Sequence, residues 1–385
     1  MNNLIQFPDR ATGFVPQRLV EARMALQLSR AELARELNLT GQAIGYYETG
    51  GRRPDMSVLS RIAEFLQQPV SFFLRPSPQI EGRRGTRFFR SVGTRSNKIN
   101  NALDVKTKWL WELLCSVSEE IRFPNPNFSS IAPPQKTSYS LDEIEGIATS
   151  LRRHWGLGDG PIVNVIALFE THGITVTRFE LGSDEIDAFS CWIGRRPYVL
   201  LGSDKKSCCR SRFDAAHELG HLLMHGDIAQ EDIEDKKTRD RLEREANFFA
   251  GALLIPRSSL LREFYSTRVG HIKGLKARWR VAMQALAHRA KDVGILDELQ
   301  YISFRKQISF HNWTRSEPLD NEIPLEQPML LLKSWKIFAE RRGITGASVE
   351  DTLGFTLDQV AELFGRTEIP PRPEGDRTTV VRLRE

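Results

Sequence analysis

His217-Glu218-Leu219-Gly220-His221 sets two imidazoles one helical turn apart with a carboxylate between them. At about 3.6 residues per turn, positions i and i+4 share a face, so both rings can reach one metal ion while Glu218 projects beside it. This is the pattern of a zinc centre that splits amides. The imidazoles hold the cation, water on the cation acquires a pKa of about 7, and Glu218 takes the proton and returns it to the leaving nitrogen. The run Ala215–His225 alternates apolar and polar residues with a helical period, which predicts a largely buried helix. His225 extends the histidine series, but it lies about 12 Å along the axis from His217, too far to share a cation with bonds near 2 Å. It is expected behind the ligands or as the helix C-cap. Cys208-Cys209 lack a partnering Cys-x-x-Cys and read as buried thiols.

A third ligand must come from elsewhere in the chain. The stretch from Glu243 to Pro256 reads as a second amphipathic helix that ends near the proline. Glu243 is the expected ligand, and Asn247, four residues on and on the same face, is placed to hold an imidazole from behind. Glu245 is rotated by about 200° from Glu243 and is expected on the surface, or as the ligand if the two roles are exchanged. Tyr265 and His271 follow this helix as candidates for steadying an oxyanion, although no spacing singles out either.

Taken together, Arg212-Phe213, the His-Glu-Leu-Gly-His helix, Glu243-x-Glu-Ala-Asn and Leu254-Ile255-Pro256 resemble the ImmA/IrrE family of zinc metallopeptidases over roughly residues 140–300. The resemblance implies a zincin-like domain with a small sheet and a helical subdomain. It implies zinc, with manganese as a substitute, held by His217, His221 and Glu243, and Glu218 as catalytic base. Known targets of such proteases are helix-turn-helix repressors, in stress or phage-related responses.

The N-terminal part carries other chemistry. Between Pro16 and Phe73 the pattern predicts several short amphipathic helices. Ser29-Arg30-Ala31-Glu32 is a capping box, and Leu33, Ala34 and Leu37 then face inward. Thr40 can cap the next helix, with Ile44 in the core and Gln42, Ala43 and Tyr46 outward, which makes a helix-turn-helix. Leu33-Ala34, Ile44, Glu48-Thr49-Gly50 and Pro54 resemble the Cro/cI (XRE) type over about residues 16–74. That resemblance implies an operator in double-stranded DNA read by a homodimer, with Gln42 and Ala43 at base edges. Arg30, where many relatives have Gln, is a candidate for phosphate or guanine, and Tyr46, Arg52 and Arg53 for backbone contacts.

Fifty-four Lys and Arg against 49 Asp and Glu give a net charge of +5, mildly basic for 385 residues. Arg83-Arg84-Gly85-Thr86-Arg87-Phe88-Phe89-Arg90, with Arg95 and Lys98, has no acidic residue and could extend a phosphate-binding surface or serve as a solvated linker. A helix over 102–121 precedes the Pro-rich stretch 123–134, where a boundary is expected. Helices are expected over 141–155 and 162–172, and strands over 174–177, 188–192 and 198–201. The strand Ser190-Cys191-Trp192 is the candidate edge on which an extended substrate lies, the alternative being a place in the core. Residues 275–293 read as helical, 301–304 as a strand, 328–341 and 357–364 as helices, and 370–376 as a mobile tail.

The expected fold is α+β and mostly helical, an all-α helix-turn-helix bundle followed by the metal-binding domain. The expected division is a DNA-binding domain at 16–76, a basic and helical linker at 77–139, a peptidase domain at 140–300 and a C-terminal region at 301–385. No apolar run is long enough to span a bilayer, Met1-Asn2-Asn3-Leu4-Ile5 lacks a signal pattern, and four cysteines, two adjacent, form no disulfide framework. These features predict a cytoplasmic regulator with its own endopeptidase, cleaving itself, a twin copy or another repressor. The rival expectation is a repressor whose metal domain is a non-catalytic sensor or dimerisation module.

Overall fold

The computed structural model describes residues 13–78, 88–89, 97–128, 131, 136–179, 187–203, 207–226, 228, 233 and 235–365. Most of the basic stretch at 83–95, Ala132-Pro133-Pro134 and the tail at 370–376 lie outside these residues. The chain divides into two compact units that do not follow sequence order. One takes residues 1–79, 100–122 and 332–385, the other 80–99 and 123–331.

The first unit opens with five short helices, α1 (Pro16–Ala25), α2 (Arg30–Glu36), α3 (Gly41–Thr49), α4 (Met56–Phe65) and α5 (Val70–Phe73). Local chemistry sets their ends. Ser29 accepts from the Glu32 amide while Glu32 accepts from the Ser29 amide, and Thr40 accepts from the Ala43 amide. Gly50 closes α3 at φ 77°, a left-handed conformation that disfavours a side chain. Leu19, Leu33, Ile44, Ile62 and Phe73 fill the bundle.

A long helix, α6 (Asn97–Ser118), belongs to the same packed unit. The buried Arg18 guanidinium grips both Glu112 carboxylate oxygens at 2.6 and 2.9 Å, and Lys108 and Trp109 both donate to the buried Glu21. Phe72, Trp109 and Phe355 meet edge to face with centroids 5.3–5.8 Å apart. The helices Leu330–Arg342 and Leu357–Leu363 add Trp335 against Phe364 and an ion pair from Lys106 to Glu362. Residues 100–118, within the segment expected to be linker, therefore supply core to this unit.

In the second unit, α7 (Leu141–His154) begins at a Ser140/Glu143 capping box and is followed by α8 (Val165–Thr171). A small sheet comprises β1 (Phe88–Phe89), β2 (Thr175–Phe179), β3 (Ala188–Ile193) and β4 (Arg196–Gly202) in the order β1-β3-β4-β2. β2 runs parallel to β4, whereas β3 is antiparallel to both β4 and β1. Then come α9 (Cys208–Met224), α10 (Lys236–Leu254), α11 (Arg257–Glu263), α12 (Val269–Trp279), α13 (Met283–Asp292) and α14 (Glu298–Phe310). The core lies between the sheet and α9 and continues through α10 to α13, with Val199, Leu219, Phe249, Trp279 and Leu286 buried in it.

Two expectations are corrected. The region 275–293 is two helices, because Arg280 takes a left-handed conformation at φ 52° and ends α12. The strand expected over 301–304 is helical. Its alternation Tyr301-Ile302-Ser303-Phe304 suits a strand, but Asp297 and Gln300 form a capping box, and Phe304 and Ile308, four apart, are the residues buried.

Candidate metal centre

His217 and His221 project from one face of α9, with their Nε2 atoms 3.0 Å apart. Glu243 comes in from α10, placing Oε2 3.4 Å from His217 Nε2 and Oε1 3.5 Å from His221 Nε2. Three ligands bonded tetrahedrally at about 2.0–2.1 Å stand about 3.3 Å from one another. The observed separations, the last two taken to different oxygens of Glu243, lie within a few tenths of an ångström of that edge. Among the described residues, this trio is the one group of three such donors close enough to hold a metal ion.

Hydrogen bonds behind the rings point both Nε2 lone pairs at the shared point. His217 Nδ1 is 3.0 Å from Asn247 Oδ1, so the ring donates there and its Nε2 is left unprotonated. His221 Nδ1 meets His225 Nδ1 at 3.0 Å, and His225 Nε2 meets Glu245 Oε2 at 3.0 Å. A carboxylate can only accept, so His225 donates from Nε2, accepts at Nδ1 and obliges His221 to donate from its own Nδ1. Glu245 thus sets the tautomer of His221 from two residues away.

Charge follows burial. Burial drives the His221 imidazole down to about 3, against the opposing pull of Glu243, so the ring is neutral and able to bind metal at pH 7. Burial pushes the Glu243 carboxyl up, but the adjoining His217 and His221 outweigh it and hold the group well below the usual carboxylate range. Glu218 is wholly buried, and that desolvation raises its carboxyl to about 7 despite the nearby His217 and a hydrogen bond from Ser190.

Gly220 permits the convergence of α9 and α10. A Cβ there would sit 3.0 Å from a Phe249 ring carbon and 3.3 Å from Ala246 Cα, so the helices could not approach as closely with a larger residue. Ser190 on β3 donates to Glu218 Oε2 at 2.6 Å and fixes the carboxylate beside the ligands. A cleft of roughly 1230 Å³ is lined by Arg210 and Asp214 of α9, Asn247 and Gly251 of α10, and Gln284 and His288 of α13, and Asn247 rather than the metal-facing side chains connects it to the centre.

Glu245 is not a solvated surface charge. It is 5% exposed and held by His225, the Tyr139 amide and Arg241. The helical repeat turns it away from the metal cluster, but α9 continues past His221 and covers that side. The ledge reading of β3 also changes, because β1 pairs with Phe189 and Ser190 and the strand is not an open edge there. Ser190 and Cys191 are buried, and Trp192 donates to the Leu222 carbonyl. His225 caps α9 as well as backing His221. Tyr265 and His271 pack against each other, rings tilted by 38°, with centroids 4.0 Å apart.

In the first unit, Gln42, Tyr46, Arg52 and Arg53 are exposed, Ala43 is half-buried and Ile44 is buried. Gln42 donates to the Tyr46 hydroxyl at 3.1 Å. Arg30 is pinned by its Nε to the buried Glu48 carboxylate, which also holds Arg23, and this narrows what it can offer DNA.

A centre of two histidines from one helix and a glutamate from the next, with a buried carboxylate alongside, resembles that of the His-Glu-x-x-His metallopeptidases. Residues 169–291 match the metallopeptidase family described as the IrrE N-terminal-like domain. Residues 19–73 match a helix-turn-helix family. The chain therefore joins a helix-turn-helix domain of DNA-binding regulators to a metallopeptidase-family domain, in that order. No match is found among curated proteins. No helix of the described residues is long and apolar enough to cross a membrane.

Proposed function

We propose that this protein is a transcriptional regulator carrying a zinc-dependent endopeptidase, which cleaves a regulatory protein in a stress or phage-related response. The substrate is the chain itself, a twin copy or another helix-turn-helix repressor. The observation that carries the reading is the convergence of His217, His221 and Glu243 at tetrahedral-edge distances beside a buried Glu218. Zinc is the cation the donor set favours, since two neutral imidazoles and one carboxylate leave a fourth position open.

When bound, such a cation supplies Lewis acidity for a peptide carbonyl and for water. The chain's own residues do the rest. Asn247 and the Glu245–His225 pair hold the two rings in the ligating tautomer, so no proton has to move before a cation binds. Glu218, with a carboxyl near 7, can accept a proton from water and deliver it to a leaving nitrogen at neutral pH. Ser190 keeps the accepting oxygen in place.

On the DNA side, Gln42 and Ala43 contact base edges, Thr40 caps the reading helix, and Tyr46, Arg52 and Arg53 contact the backbone, with a homodimer spanning paired half-sites in the cytoplasm. The cleft of roughly 1230 Å³ favours one other reading, a sensor that binds a small ligand beside a non-catalytic metal. Glu218→Gln separates the two. Purified chain loaded with zinc or manganese, alone and with candidate repressors, is analysed by mass spectrometry. Peptidase function is expected to give new fragments that fall at least about 100-fold in rate in the variant, while its metal content stays unchanged. Intact masses for the wild type under every condition leave the sensor reading.

A further inference from the structure

We propose that the cleft lined by α9, α10 and α13 binds a small molecule carrying an oxyanion, a phosphate or a carboxylate, on an apolar body, and that the buried Arg289 is its anchor. Such a site does not need the metal centre to be catalytic.

The cleft lies apart from the metal-facing side. None of His217, Glu218, His221 and Glu243 lines it, whereas Asn247 and Glu245, which back the two rings, do. All of its lining residues belong to the second unit, and roughly 1230 Å³ is ample for a small organic molecule.

Arg289 lines this cleft although it is only 1% exposed, which puts it in the inner wall. Its Nη2 donates to both Glu145 oxygens at 2.6 and 2.7 Å, and its Nε donates to the Ile255 carbonyl at 3.3 Å. Gly251 lets the side chain lie close against α10, since an added Cβ would stand 3.2 Å from Arg289 Cδ. The guanidinium is therefore fixed, but its Nη1 is buried with no acceptor among the described residues. A buried charged donor left unpaired is costly, and an anionic oxygen is the acceptor that offsets the cost best.

The other basic side chains of the cleft point to the same ligand. Arg210, Arg244 and Arg315 line it, and none of the three pairs with a carboxylate among the described residues; Arg210 and Arg244 donate to the carbonyls of Thr314 and Asp240. By contrast, three of the lining carboxylates are engaged, Glu245 by His225 and Arg241, Asp292 by His288, and Asp320 by the buried Lys276. Asp187 and Asp214 complete the acidic lining and are outnumbered by those arginines. Phe213, Phe248 and Tyr301 offer apolar surface to the body of the ligand.

The test is isothermal titration calorimetry on the full chain, zinc-loaded and again with EDTA, which tells an anion held in the cleft from one held by a metal ion. Phenyl phosphate and benzoate are the probes, and phenol is the uncharged control. At least one anion is expected to bind under both conditions with a Kd of about 1 mM or below, and phenol about tenfold more weakly or worse. Tighter binding of phenyl phosphate assigns a phosphate ester, and tighter binding of benzoate a carboxylate. Arg289→Gln is expected to weaken the favoured anion by about tenfold or more, with circular dichroism to verify folding. Ala285→Phe covers the case in which loss of the Glu145 pair unfolds the chain, because it puts bulk into the cleft with every arginine in place and should weaken binding as much. Arg244→Gln/Arg315→Gln, at two exposed positions, should weaken it by about threefold or more. Failure of both anions to bind, loss of binding in EDTA, or binding that survives Arg289→Gln and Ala285→Phe in folded chains would overturn the proposal.

Discussion

His225 touches no metal in the arrangement described, yet its replacement is expected to weaken metal binding by about 10- to 100-fold, as loss of an outer partner of a ligating histidine does. Two hydrogen bonds of 3.0 Å, joined through the His225 ring, link Glu245 to His221. In His225→Leu, the Nδ1–H of His221 loses its acceptor in a wholly buried position. Leaving such a donor unsatisfied costs about 1–3 kcal/mol. His221 can escape the cost by moving its proton to Nε2, but that nitrogen is the one facing Glu243, and a protonated Nε2 cannot ligate. Either way the metal-bound state loses about 1.4–2.7 kcal/mol, the equivalent of the stated factor. Glu245→Gln should fall between wild type and His225→Leu, since an amide oxygen can still accept from His225 without the charge. The assay is zinc competition against a fluorescent chelator at pH 7.5, with circular dichroism to verify folding. His288→Leu serves as control, because His288 is exposed and meets Asp292 and Tyr301 rather than a metal-facing residue. A change of less than threefold in folded His225→Leu would refute the proposed control of the tautomer.

Other consequences are open to direct measurement. Gly220→Val is expected to destabilise the second unit by about 1–3 kcal/mol in thermal unfolding, since its Cβ alone would press on Ala246 and Phe249. Gly220→Ala should cost much less, because a gain of about 1 kcal/mol in helix propensity offsets the crowding. Glu112→Ala leaves the buried Arg18 without its closest carboxylate and should cost about 3–5 kcal/mol, read as a lower unfolding temperature of the first unit, while zinc affinity stays within threefold. Burial pushes the Cys209 thiol up to about 12, so at pH 8 it is protonated and should resist a thiol reagent in the native chain. Cys191 and Cys208 are also buried, which leaves the half-buried Cys115 as the first to react, and all four should react after denaturation. Prompt native modification of Cys209 would contradict the packing of α9.

Local sequence decided whatever lies within one helical repeat. His217, Glu218 and His221 could be placed together because five residues on a helix have one geometry, and phase along a second helix set Glu243 and Glu245 on opposite faces while leaving open which of them met the metal. The caps at Ser29 and Thr40 were similarly readable, because a side chain reaching an amide three residues on leaves a short signature. Where two local signals competed, as at Tyr301–Phe304, alternation pointed to a strand although the Asp297/Gln300 box at the helix start was present.

Tertiary structure decided which distant segments meet. Ser190 is 28 residues from Glu218, and no periodicity relates a strand residue to the helix that packs on it. Glu245 was readable as facing away from the metal, but what faced it, His225, depended on how closely α9 and α10 approach, and that distance is set by Gly220 and Phe249. The assembly of α6 and the C-terminal helices with the helix-turn-helix rests on the Arg18–Glu112 pair and on Phe72, Trp109 and Phe355, residues whose burial is a property of the packed chain and leaves no mark in their own neighbourhoods. Spacing along one element is imposed by backbone geometry, whereas partners across elements are selected by packing, which acts only once the chain has folded.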